Sequence, residues 1–127
     1  YLAMAVSLEH MGETTGNERA TKLAGALNDA IGRLLTNRKS PSRKVNELDN
    51  RASNFYLGLY WSEFMAEIDP EYKDLAQQLK DNRSAIVAEL SSCQGNKTDI
   101  GGYYKLDDAK AEAAMRPSKT LNAILDN

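Results

Sequence analysis

The chain has 127 residues, 42% of them hydrophobic and 27% charged, with 16 Lys and Arg against 18 Asp and Glu for a formal net charge of −2. That is one domain's worth of an ordinary globular chain, long enough to bury a core without staples. The balance excludes a charge-driven nucleic-acid binder, and no apolar run approaches the roughly 18 residues of a membrane span.

Residues 1–12 read as a helix that is apolar on nearly every side, with Tyr1, Leu2, Met4, Ala5, Val6, Leu8 and Met11. Such a helix is usually buried. It opens at Tyr1 without a basic lead, and Glu9 and His10 follow at once, so it does not read as a signal peptide. A helix of this kind at the very start of the chain leads to the expectation of further polypeptide upstream.

Gly12 and Gly16 bracket a turn, and Thr15 and Glu18 have the spacing of a capping box. A second helix over 16–36 has the cleanest period, with Ala20, Leu23, Ala24, Leu27, Ile31 and Leu34 on one stripe. The pattern then breaks. Asn37-Arg38-Lys39-Ser40-Pro41-Ser42-Arg43-Lys44 is polar and basic, and Pro41 disfavours helix at Ser40. A loop this long in a small domain is more often functional than idle.

A third helix is predicted over 53–68. It carries Phe55, Tyr56, Tyr60, Trp61 and Phe64 within ten positions, which marks it as the core axis. Phe55, Leu59, Trp61 and Phe64 are expected to be largely buried, and Trp61→Ala to cost roughly 3–5 kcal/mol. Asp69-Pro70 supplies an N-cap and a first-turn proline for a fourth helix over 70–92. Gly101-Gly102 marks a loop, a short helix follows Asp107, Pro117 stops it, and Ser118 caps a last turn or two. No stretch alternates at period two. The predicted fold is therefore all-α: residues 1–127 form a single bundle-like segment of about four main helices plus short C-terminal ones.

Chemistry is sparse. His10 and Cys93 are the only residues of their kind, they stand far apart, and no glycine-flanked serine is present. No catalytic residue and no metal ligand set is predicted. The lone Cys93 fits a reducing compartment such as the cytoplasm. The basic loop is the strongest local signal. Arginine's planar fork suits phosphate, and Ser40 and Ser42 could add hydroxyl donors. A solvated basic loop between helices fits the same residues.

The run Lys39-Ser40-Pro41-Ser42-Arg43-Lys44-Val45-Asn46-Glu47-Leu48-Asp49-Asn50-Arg51 resembles the C-terminal part of the monomeric NADP-dependent isocitrate dehydrogenases. The likeness includes Leu2-Ala3-Met4-Ala5-Val6-Ser7-Leu8-Glu9 and Phe55-Tyr56-Leu57-Gly58-Leu59-Tyr60-Trp61. It continues through Ile86-Val87-Ala88-Glu89-Leu90, Asp99-Ile100-Gly101-Gly102-Tyr103-Tyr104 and Met115-Arg116-Pro117-Ser118, in order and with matching spacing. Two departures are local: Ala52-Ser53-Asn54 follows Arg51, and Lys105-Leu106 follows the paired tyrosines.

The resemblance implies a segment of a much longer α/β enzyme that decarboxylates isocitrate oxidatively to 2-oxoglutarate with NADP and Mg or Mn. It implies that the isocitrate and metal ligands lie in the rest of the polypeptide, so that the segment alone is inactive. It maps a 2′-phosphate-binding arginine onto Arg43; the residues themselves do not choose between Arg43 and Arg38. The family's other 2′-phosphate and ribose contacts fall upstream of Tyr1, and His10 does not match its histidine. The remaining polypeptide is then the expected cover for the apolar first helix. A competing reading is an autonomous helical interaction module, whose first helix docks on a partner protein.

Overall fold

The computed structural model describes residues 1–127. It contains seven α-helices and one 3-10 turn, and no strand: α1 Leu2–Thr15, α2 Glu18–Thr36, α3 Asn50–Ile68, the turn Pro70–Tyr72, α4 Lys73–Asp81, α5 Arg83–Ser91, α6 Asp108–Met115 and α7 Lys119–Leu125. The all-α expectation holds.

α1 and α2 form a tight hairpin. Gly16, at φ 70°, ends α1 in the left-handed conformation that glycine adopts without strain. The cap of α2 is not Thr15. Asn17 is extended and its side chain accepts from the Ala20 amide, whereas Thr15 is still inside α1 and donates to the Met11 carbonyl at 2.6 Å. The left-handed Gly16 leaves Asn17 as the first residue placed to cap. At Gly12 the two helices nearly touch: a Cβ there would lie 2.1 Å from Thr21 Oγ1.

α2 lies between α1 and α3 and buries small residues on both sides, namely Ala20, Ala24, Ala26 and Ala30 around Leu27. α1 departs from expectation. Among the helices it packs on α2 alone, so only Ala5 and Gly12 are buried, and Tyr1, Leu2, Met4, Val6 and Met11 are exposed. An all-round apolar helix needs several neighbours, and this chain gives it one.

α3 is the axis, touching α2, α4 and α5. It starts three residues earlier than predicted because Asp49 caps it, accepting from the Ala52 amide at 3.0 Å. Burial works against the Asp49 charge, but the Ala52 amide and the Arg51 guanidinium outweigh it and hold the carboxyl below its usual range. Phe55 and Leu59 are buried as expected; Trp61 and Phe64 are only half-buried. The Trp61 indole N–H donates to the Leu23 carbonyl at 3.0 Å, which keeps its edge at the α2 boundary. Phe64 is covered by the Arg33 guanidinium, 4.1 Å from the ring centroid, and Arg33 also pairs with Glu63 at 2.8 Å. The most deeply buried large side chains of α3 are Leu59, as expected, with Leu57 and Met65.

The predicted fourth helix is two. Asn82 breaks the run, and its side-chain amide donates to the Gln78 carbonyl at 2.8 Å, the local competition by which asparagine interrupts helices. The break lets Ala76 and Leu79 of α4, and Ile86 and Leu90 of α5, all turn to the core. α6, capped by Asp107, packs on no other helix.

α7 is latched by one carboxylate. Glu89 of α5 accepts from the Ser118 hydroxyl at 2.5 Å, the Thr120 hydroxyl at 2.7 Å and the Thr120 amide at 3.2 Å. The Ser118 and Thr120 hydroxyls hold the Glu89 carboxyl below its usual range. A depressed carboxylate contributes its full stabilisation above the unfolded value, and that contribution is lost as pH falls through the folded one. The protection of the α7 amides, taken relative to intrinsic exchange at each pH, should therefore fall on acidification below about pH 4, the ordinary glutamate region. Glu89→Gln should show the reduced protection at every pH. An α7 equally protected in wild type and variant would show that the latch is idle.

Candidate functional site

The basic loop joins α2 to α3, and its backbone is tied at several points. Lys39 N donates to the Leu34 carbonyl at 2.9 Å, and the Ser53 hydroxyl donates to the Lys39 carbonyl at 2.6 Å. Ser42 N donates to the Leu48 carbonyl at 2.7 Å and closes the outer turn. Inside that turn Lys44 N donates to Ser42 Oγ at 3.1 Å. Arg38 and Asn46 take left-handed backbone, φ 55° and 67°. That region carries a cost for residues with a side chain, least for asparagine, so such positions persist where the surroundings hold them.

Five cations lie between Arg38 and Arg51, and the structure divides them. The Lys39 ammonium sits 4.7 Å from the Tyr56 ring centroid. Arg51 pairs with Asp49 at 3.0 Å. Arg38, Arg43 and Lys44 are exposed, and their side chains make no ion pair. Arg43 thus stands on the outer turn with all its guanidinium donors open. Ser42 does not supply the donor the sequence offered: its hydroxyl proton goes to Glu47 Oε2 at 2.5 Å. Ser40 is exposed.

The other candidates lie elsewhere. His10 is on the exposed side of α1, and the half-buried Cys93 thiol donates to the Glu89 carbonyl at 3.4 Å. No three His, Cys, Asp or Glu side chains are grouped so as to hold a metal ion. A mostly apolar cleft of about 330 Å³ between α3, α4, α5 and α7 is lined by Phe55, Leu59, Leu79, Leu90, Leu121 and Leu125, with Arg51, already paired to Asp49, and Asn54 as its polar members. No helix is long and apolar enough to cross a membrane.

One residue at the loop had no signal in the sequence. Gln94, beyond the end of α5, accepts from Asn46 N at 2.9 Å and donates to the Glu47 carbonyl at 2.7 Å. Nothing in local spacing connects positions so far apart along the chain.

Comparison with known proteins places this arrangement in a family. Over 131 residues the chain is 50% identical to isocitrate dehydrogenase [NADP] 2 of Colwellia maris, covering 98% of this chain and 18% of that protein. It is 48% identical over 132 residues to isocitrate dehydrogenase [NADP] 2 of Mycobacterium tuberculosis, covering 99% of this chain and 18% of the relative. With isocitrate dehydrogenase [NADP] of Azotobacter vinelandii the identity is 45% over 131 residues, covering 98% and 18%. The chain therefore spans under a fifth of the length of these relatives. The family model described as monomeric isocitrate dehydrogenase matches residues 1–126, and the chain belongs to the monomeric isocitrate dehydrogenase family.

Proposed function

We propose that this chain is the C-terminal helical segment of an NADP-dependent isocitrate dehydrogenase, and that its part in the enzyme is to read the 2′-phosphate of NADP through Arg43. The observation that carries the reading is the division of cations. Arg43 is exposed and unpaired on a loop whose backbone is tied down on both sides of it. A rigid loop presenting an open guanidinium loses little entropy when a phosphate takes the fork, and the two parallel N–H donors match two phosphate oxygens. Arg38 and Lys44 add positive charge nearby in the chain.

The residues present do not fit a Mg or Mn ion, since no acidic cluster is available. The resemblance assigns the metal and isocitrate sites to the rest of the polypeptide. That remainder also covers the apolar side of α1, where Tyr1, Leu2, Met4, Val6 and Met11 are exposed. An autonomous interaction module would use the same side of α1, but it gives no account of the relatives. An unpaired Cys93 fits a cytoplasmic enzyme.

The test is cofactor titration of a full-length polypeptide carrying this segment. NAD lacks the 2′-phosphate. Charge-assisted hydrogen bonds contribute roughly 1.5–3 kcal/mol, so Arg43→Ala should weaken NADP about ten- to a hundredfold and leave NAD unchanged. Arg43→Lys should recover part, keeping the charge without the fork. Unchanged NADP affinity in Arg43→Ala would sink the reading.

A further inference from the structure

Gln94 holds the basic loop from outside. Its side-chain amide is planar and carries an acceptor and a donor on one carbon. Oε1 accepts from Asn46 N at 2.9 Å, and Nε2 donates to the Glu47 carbonyl at 2.7 Å. Both loop groups are main-chain, so the contact fixes backbone and not merely a side chain. It acts next to Asn46, whose φ of 67° marks where the turn is bent back on itself.

The remaining ties of the outer turn are internal to it. Ser42 N bonds Leu48 O, and Ser42 Oγ bonds both Glu47 and Lys44 N. The bond from Ser53 to Lys39 O holds only the start of the loop. Gln94 is thus the one side chain from a distant element that hydrogen-bonds the turn carrying Arg43, whose far end is also anchored by Leu48 packing on the core. It is half-buried, and its own backbone amide is tied to the Ser91 carbonyl at 3.1 Å, so the clamp stands on an ordered base.

We propose that Gln94 is the positioning residue for Arg43, and that through it the end of α5 sets selectivity for the 2′-phosphorylated cofactor; this rests on the reading of Arg43 given above. The clamp adds no charge of its own. It fixes where the guanidinium stands, and so determines how much of the arginine's donor geometry a phosphate finds already in place.

The experiment uses the full-length polypeptide with NADP and NAD in parallel. Gln94→Leu keeps the approximate size and removes both hydrogen bonds. Gln94→Glu keeps the acceptor but turns the donor into an oxygen facing the Glu47 carbonyl. Both should lower the NADP-to-NAD selectivity ratio by roughly tenfold, the scale of losing one or two net hydrogen bonds. Both should also speed amide exchange in the peptide over residues 42–48. In an Arg43→Ala background neither should lower selectivity further, because the clamp acts through that arginine. Three results would overturn the positioning role while leaving Arg43 standing: unchanged selectivity in both Gln94 variants although Arg43→Ala loses it, equal losses for NADP and NAD, or full additivity with Arg43→Ala. Unchanged selectivity in Arg43→Ala itself would remove the reading and the clamp's purpose together.

Discussion

Leu59→Ala is expected to cost about 2–5 kcal/mol of folding stability, the range for truncating a fully buried leucine. Leu59 is 1% exposed at the middle of α3, the helix that touches α2, α4 and α5. It also borders the apolar cleft shared with Phe55, Leu79 and Leu90. Truncation there removes the transfer energy of three carbons and enlarges a space that the surrounding helices cannot close without moving one another. Against the 5–15 kcal/mol total of a typical domain this is a large fraction. Trp61→Ala should fall at the low end of the 3–5 kcal/mol read from sequence, since the side chain is not fully buried and the Leu23 carbonyl keeps its place in the helix. Urea denaturation followed by circular dichroism checks both, as midpoint shifts at constant slope. A Leu59→Ala loss below about 1 kcal/mol would mean that α3 is not the core axis.

The purified 127-residue chain, given isocitrate, NADP and Mn, is expected to form no NADPH. Oxidative decarboxylation of a hydroxy acid needs a metal to polarise the developing carbonyl and groups to clamp several carboxylates. The chain has no trio of metal-capable side chains, and the basic loop is proposed for the cofactor's far end. Restoring the rest of the polypeptide should restore turnover. NADPH formed by the short chain above a protein-free control would overturn the division of labour proposed between this segment and the rest.

Local signals carried the fold a long way. Asp49, Asp69, Asp107 and Ser118 each cap a helical element, the last three where the sequence indicated. Periodicity found Ala20, Ala24 and Leu27 of the buried face of α2 but not Ala26 and Ala30. The misses have two causes: local side-chain competition with the backbone, and what lies across a contact. Asn82 reads as an ordinary position in a helical run until its side chain takes the Gln78 carbonyl. Trp61 and Leu57 both belong to an apolar helix, and only the placement of α2 shows that the indole sits at the edge. The composition of α1 says that it must be covered, not by what. At the site, Arg43 came from resemblance, because Arg38 has the same chemistry. Gln94 was illegible, because an amide pairing with main chain from a distant segment leaves no periodic trace.

The order in which the helices pack bears on how the segment comes together. α1 meets α2, α2 meets α3, and α3 meets α4, each pair adjacent in the chain. Closing such neighbours sacrifices little chain entropy, and topologies of low contact order fold fast. The outer turn of the basic loop is different. It lies early in the chain, yet its clamp is Gln94, 48 positions beyond Asn46. It takes its final shape only when α5 has docked on α3. The phosphate-reading surface proposed for that turn needs this contact, so a segment in which α5 has not docked is expected to lack it.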